Sequence, residues 1–311
     1  MPEEPNLMKK GYRPPFLIQV FLDFLIEPVK KGWKITVVVE NFRFLFHLGF
    51  LGTIIVGFVL TTMFVDFDHS KVVMDIFGAP NVCTYFDFPP ATYVAPLAYS
   101  FAVLAGIMYG IFSITRLSIA YKEKKISCRV KTLMIAIYTY FIVSVIWFGT
   151  IYAVQPNRAD PVTMRIHTVP YINFKIAVVS MQYCVVWFGT RVAWNNIGFS
   201  SNGKILFFSL SWLHVYLNFV ECGFSCFVIL NGIGDMGPSG LVGKGLWFNV
   251  HDKPQFVRMV GTFIGNKSPL GDLVLSQLIP LIQSLFIKSK SFNRISNTHT
   301  VTFNVYDNIS A

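Results

Sequence analysis

The sequence predicts an all-α polytopic membrane protein, a bundle of five transmembrane helices followed by a shorter sixth. Three observations carry that prediction. Of 311 residues, 53% are hydrophobic and only 14% charged, with a mean hydropathy of +0.54, a balance that suits lipid better than water. Five segments reach the ~20 predominantly apolar residues that a helix needs to cross the hydrocarbon core. Lys and Arg, finally, are distributed unevenly among the segments between those runs.

The segment 1–45 opens with Glu3 and Glu4 and meets its first long apolar run only near Phe46, unlike a cleaved signal peptide, so the first span is expected to act as its own signal. Within it, Pro15 to Pro28 is apolar but too short to cross, and Lys30, Lys31 and Lys34 follow. That pattern fits an interfacial helix on the cytosolic leaflet, or a short helix packed on the inner end of the bundle. The five-span bundle occupies 46–231, with spans at 46–65, 93–115, 132–154, 171–190 and 205–230. Seven Lys and Arg precede the first span, six lie in 116–131 and two in 191–204, against one in 66–92 and two in 155–170. By the positive-inside rule the N-terminus faces the cytosol.

After Asn231 the composition turns to Gly, Pro and charge, and 232–272 is expected to be a lumenal or extracellular loop. The apolar run 273–287 contains Pro280 and is short for a span, yet Lys288, Lys290 and Arg294 follow as they would at a cytosolic end. It is expected to form a short sixth span, or else a re-entrant or interfacial segment, ahead of a basic tail at 288–311. The sequons at Asn266 and Asn308 are weak signals, and only the first would be lumenal with six spans.

The fifth span carries the most informative pattern. Ser211, His214, Asn218, Glu221 and Ser225 recur at intervals of three and four and therefore share one narrow helix face. Ionisable groups are costly against lipid, so that face must turn to other helices or to a water-filled cavity. Lys175 on the fourth span lies at a similar depth to Glu221 and is expected to pair with it, with Gln182 one heptad away on the same face. Lys175, Gln182, His214, Asn218 and Glu221 thus form the candidate intramembrane polar site. It would be a proton or ligand site or a pocket for a lipid headgroup, or else only interhelical hydrogen bonding at a typical ~0.6 kcal/mol per bond. Gly49, Thr53 and Gly57, and Ala102, Gly106 and Gly110, are small residues at four-residue spacing, suited to close helix packing.

Other chemistries are excluded or unsupported. The basic residues, which give a net charge of +10, do not form one face with interleaved aromatics, so nucleic acid is not an expected partner. Five cysteines without a C-x-x-C pair argue against a metal site; Cys83 sits in an outer loop with Cys226 as the only partner open to it. His47 and His214 occupy different spans, but one pair does not make a two-haem cytochrome, and no cofactor is expected. No phosphate loop, Gly-x-Ser-x-Gly elbow or His-Glu-x-x-His occurs, so no catalytic residue is legible.

Asn41-Phe-Arg-Phe-Leu-Phe before the first span, Gly78-Ala-Pro-Asn81 and Pro89-Pro90 in the acidic outer loop, and Ile166-His167-Thr-Val-Pro-Tyr-Ile-Asn-Phe174 through Trp187 give the chain a likeness over residues 40–231. In these it resembles the Frag/DRAM/Sfk family, and within that family the post-GPI-attachment factor 2 group. The resemblance implies six helices with both ends cytosolic, a Golgi or ER membrane, and lipid remodelling of GPI anchors, with membrane lipids, the anchor lipid among them, as partners. The DRAM-like branch would instead imply lysosomal membranes and autophagy, and a small-solute or proton-linked transporter at Lys175 and Glu221 is the alternative from outside the family. His167 matches a His at the outer start of the family's fourth span; it would otherwise be an interfacial residue capping the helix. The family's sixth span follows soon after its fifth, and residues 232–311 depart from that pattern.

Overall fold

The structure, a computed structural model, describes residues 33–64, 85–86, 88–153, 161–193, 200–232, 269–291 and 300–305. The segment Pro15 to Pro28, Cys83, both sequons, and the side chains of Glu221, Ser225 and Cys226 lie outside what is described.

Among the described residues six helices carry the fold: α1 Val39–Phe64, α2 Ala91–Lys122, α3 Cys128–Phe148, α4 Pro161–Phe188, α5 Ser201–Gly232 and α6 Pro269–Ser291. A 3-10 turn, Gly149–Ala153, extends α3, and a π-helical turn, Gly189–Ala193, extends α4. Strands β1 Trp33–Val38 and β2 Thr300–Val305 pair antiparallel, Trp33 opposite Val305 and Val38 opposite Thr300. This one ribbon is an addition to the expected all-α architecture.

Local chemistry sets several helix ends. Ser127 caps α3 by accepting from the Val130 N–H at 3.4 Å, and Ser200 caps α5 by accepting from the Gly203 N–H at 3.1 Å. α2 closes where Lys124 adopts φ 57° and the Lys125 N–H bonds back to the Ala120 carbonyl at 2.9 Å, the left-handed closure that ends many helices. The expected basic loop 116–131 therefore shrinks to a tight turn.

Each helix packs against the next in sequence, and α6 closes the ring against α1. The α1–α2 seam is tight because of its small residues: a Cβ on Gly49 would lie 3.2 Å from the Ala102 backbone, and Gly106 receives the Phe46 ring. Between α1, α2, α3 and α4 the interior is aromatic. Phe50 stacks on Phe174 at 5.2 Å between ring centres, Phe148 sits 4.5 Å from Phe174, and Phe46 meets Phe141 edge-on at 5.3 Å. The Tyr99 hydroxyl enters this cluster already satisfied, donating to the Val145 carbonyl at 2.7 Å.

The outside of the bundle is apolar and its inside partly polar, the reverse of a water-soluble bundle. On α5, Trp212 and Phe219 are exposed while Ser211, His214 and Asn218 are buried. Among the described residues four helices are long and apolar enough to cross a membrane: Val39–Phe64, Ala91–Lys122, Cys128–Ala153 and Val169–Val192. α5, at 32 residues, covers the expected fifth span. α6 is one continuous 23-residue helix in which Leu275–Ile287 is the apolar part.

Candidate functional site

The polar side chains gather where α1, α4, α5 and α6 meet. On α4, His167, Tyr171, Lys175 and Gln182 recur every four or seven residues; His167, Lys175 and Gln182 are buried, and the Lys175 Nζ lies 5.3 Å from the centre of the Tyr171 ring. On α5 the described part of the expected stripe points inward, with Ser211, His214 and Asn218 all buried. The ion pair expected between Lys175 and Glu221 falls on a side chain outside those described. His167, expected at the outer start of the fourth span, is buried within α4, which starts at Pro161, and lies two residues before the apolar stretch Val169–Val192.

Gln182 is the node of the inner layer. Its Oε1 accepts from Arg43 Nη1 at 3.3 Å, and its Nε2 donates to Gln283 Oε1 at 2.8 Å and to Ser211 Oγ at 3.1 Å. Gln283 Nε2 in turn donates to Ser211 Oγ at 2.8 Å, and Ser211 donates to the Phe207 carbonyl at 2.8 Å. Four helices are thereby joined by side-chain hydrogen bonds alone.

One turn along α1 from Arg43 lies His47, wholly buried. Its Nδ1 is 2.7 Å from Gln277 Oε1, an acceptor, which assigns the ring proton to Nδ1 and leaves Nε2 as a lone-pair nitrogen. That Nε2 is buried and has no hydrogen-bond partner among the described residues. The His214 ring stands edge-on to it, 6.5 Å between centres. Asn218 Nδ2 donates to the His214 carbonyl at 2.8 Å and lies 3.3 Å from both nitrogens of that ring.

Pro280 explains how α6 serves this layer. The His214 imidazole also hydrogen-bonds the main chain of Ser276. In a helix the Ser276 carbonyl would accept from the N–H of residue 280, and proline has none; that carbonyl is bonded by the His214 imidazole of the neighbouring helix. A residue that weakened 273–287 as a span thus supplies a main-chain acceptor to the bundle interior.

Sequence reasoning missed His47 as part of the site, and missed Ser276, Gln277 and Gln283 altogether. The signal was present: Ser276 and Gln283, and Gln277 and Ser284, are each one heptad apart, and all four are buried. Among the described residues no three His, Cys, Asp or Glu side chains gather as metal ligands would.

The fold and site together define a polytopic helical membrane protein with a polar interior shared by α1, α4, α5 and α6. No family model, curated protein or solved structure matches the chain.

Proposed function

We propose that the chain takes part in lipid remodelling of GPI anchors in a Golgi or ER membrane, with its N-terminus cytosolic, and that the polar interior receives the reacting polar part of the lipid. The observation that carries this reading is His47: a buried imidazole whose proton is fixed on Nδ1 by Gln277 and whose Nε2 lone pair is unused among the described residues. A base so placed accepts the proton of a lipid hydroxyl while the hydroxyl oxygen attacks the carbonyl of an acyl ester or thioester. It then returns that proton to the departing oxygen or sulfur. Such a base contributes typically ~10²–10⁴-fold to a rate, so its loss is measurable. The likeness over residues 40–231 supplies the substrate class.

The test is surface retention of a GPI-anchored reporter on cells lacking their own factor 2 homologue. The chain should restore retention, and His47→Gln, which keeps a polar group of similar reach, should not, although it inserts and accumulates normally. Failure of the correctly inserted wild-type chain to restore retention would sink the reading.

A second reading, proton-linked transport, is favoured by the way polar groups succeed one another along the axis. From Gln182 to Lys175 on α4 is seven residues, ~10 Å of helix, and the glutamines of α6 and the stripe of α5 fill the same interval. It predicts proton-coupled flux that fails in Glu221→Gln with the reporter assay unaffected.

A further inference from the structure

At the end of the bundle where α1 begins and α2 ends lies a second buried cluster that the remodelling reading does not use. Glu40 and Arg43 come from α1, Tyr109, Ser113 and Arg116 from α2, and Tyr138 from α3, and all are at least 95% buried. Residues 109, 113 and 116 follow at intervals of four and three, so α2 presents them on one face. Arg43 Nε is 2.8 Å from Glu40 Oε2 and Arg116 Nη1 is 3.7 Å from Glu40 Oε1, which places one carboxylate between two guanidinium groups. The Phe188 ring covers Arg116 at 4.4 Å.

Among the described residues the cluster is short of one negative charge and rich in donors. Two arginines face one glutamate. Arg43 Nη2, Arg116 Nε and Ser113 Oγ have no hydrogen-bond partner among the described residues. The Tyr109 and Tyr138 phenols lie against each other and against Arg116; with one O–H turned to the oxygen of the other phenol, the pair adds one further donor. An uncompensated buried cation is among the costliest arrangements a fold can hold. Water would satisfy the donors but leave the charge; a dianion would overshoot it.

We propose that this cluster is a binding site for the phosphodiester of a bilayer phospholipid. A phosphodiester carries one negative charge and two non-bridging oxygens, which match the missing charge and the forked geometry of Arg43 and Arg116. The site goes beyond the remodelling reading; Arg43 is shared with the inner polar layer through Gln182, and the variants that test the site, at Arg116 and Tyr138, lie outside that layer. Inorganic phosphate is the other source of the same chemistry, and the two are separable.

The experiment measures thermal unfolding of the full chain in detergent, titrated with dioctanoyl phosphatidylglycerol, with dioctanoylglycerol, which lacks the phosphate, and with inorganic phosphate. Dioctanoyl phosphatidylglycerol should raise the midpoint saturably and dioctanoylglycerol should not. Equal stabilisation by inorganic phosphate would overturn the assignment to a lipid. Arg116→Gln and Tyr138→Phe should each weaken the phosphatidylglycerol effect by about tenfold or more, the loss expected on removing a hydrogen bond to a charged group. Tyr138→Phe keeps the ring and the charge of the site, so it decides the matter if Arg116→Gln does not fold. No saturable stabilisation by phosphatidylglycerol, or an unchanged apparent Kd in Tyr138→Phe, overturns the proposal.

Discussion

Gln182 shows how much a single uncharged side chain holds together in an apolar bundle. Its amide satisfies Arg43, Ser211 and Gln283 at once, and in lipid there is no water to take over if it is removed. Gln182→Leu therefore removes three bonds of modest individual worth and leaves buried donors and an acceptor unpaired. The expected loss is about 2 kcal/mol, read as a lower denaturation midpoint in detergent, and an unchanged midpoint would show that the network relaxes without it. Gln182 was legible because it stands one heptad from Lys175, and His214 and Asn218 because three- and four-residue spacing marks a helix face. Glu40, Arg43 and Arg116 were not legible, because charges flanking an apolar run look the same whether they lie in the headgroups or turn inward to one another. Only the fold distinguishes the two, by placing Arg43 and Arg116 on either side of Glu40.

The elements were foreseen as apolar runs and found longer at their ends. The first span, expected at 46–65, belongs to a helix that starts at Val39, and the second, expected at 93–115, runs on to Lys122. Hydropathy ends a span at its first charge, whereas a helix ends where its hydrogen bonds and caps end. The small-residue faces were read correctly in kind: Gly49 is where α1 lies against the α2 backbone at Ala102. That contact predicts an asymmetry within one helix. Gly49→Leu should cost about 1–3 kcal/mol by forcing backbone apart, as overpacking does. Gly52→Leu on the same helix, where a Cβ would meet nothing within 4 Å, should be close to neutral. Equal effects on detergent melting would mean that helix propensity, not the α1–α2 contact, sets the cost. α6 is the element least legible in advance, since its length argued against it while its paired glutamines and serines, which bind it to α1 and α5, argued for it.

At the scale of the whole molecule, the ring of helices and the terminal ribbon constrain each other. β1 runs directly into α1, and eight residues separate α6 from β2, so their pairing keeps the start of the first helix and the end of the last at one end of the bundle. Two ends on one side of a bilayer require an even number of crossings, and five apolar spans alone would put them on opposite sides. The ribbon thus argues for α6 as a crossing helix, and for the cytosol on both ends if the clustered Lys and Arg are obeyed. Cysteines placed at Thr36 and Thr302, directly opposite in the register, should cross-link with a short bifunctional maleimide in intact membranes, whereas cysteines at Thr36 and Thr92, which lies at the start of α2 and so at the other end of the bundle, should not. Both should also react with an impermeant maleimide only after the vesicle is opened to the cytosolic face. If Thr302→Cys is labelled from the opposite face to Thr36→Cys, the chain crosses an odd number of times. The closed ring of six helices would then have to open between α6 and α1, taking the His47–Gln277 bond and the proposed base with it.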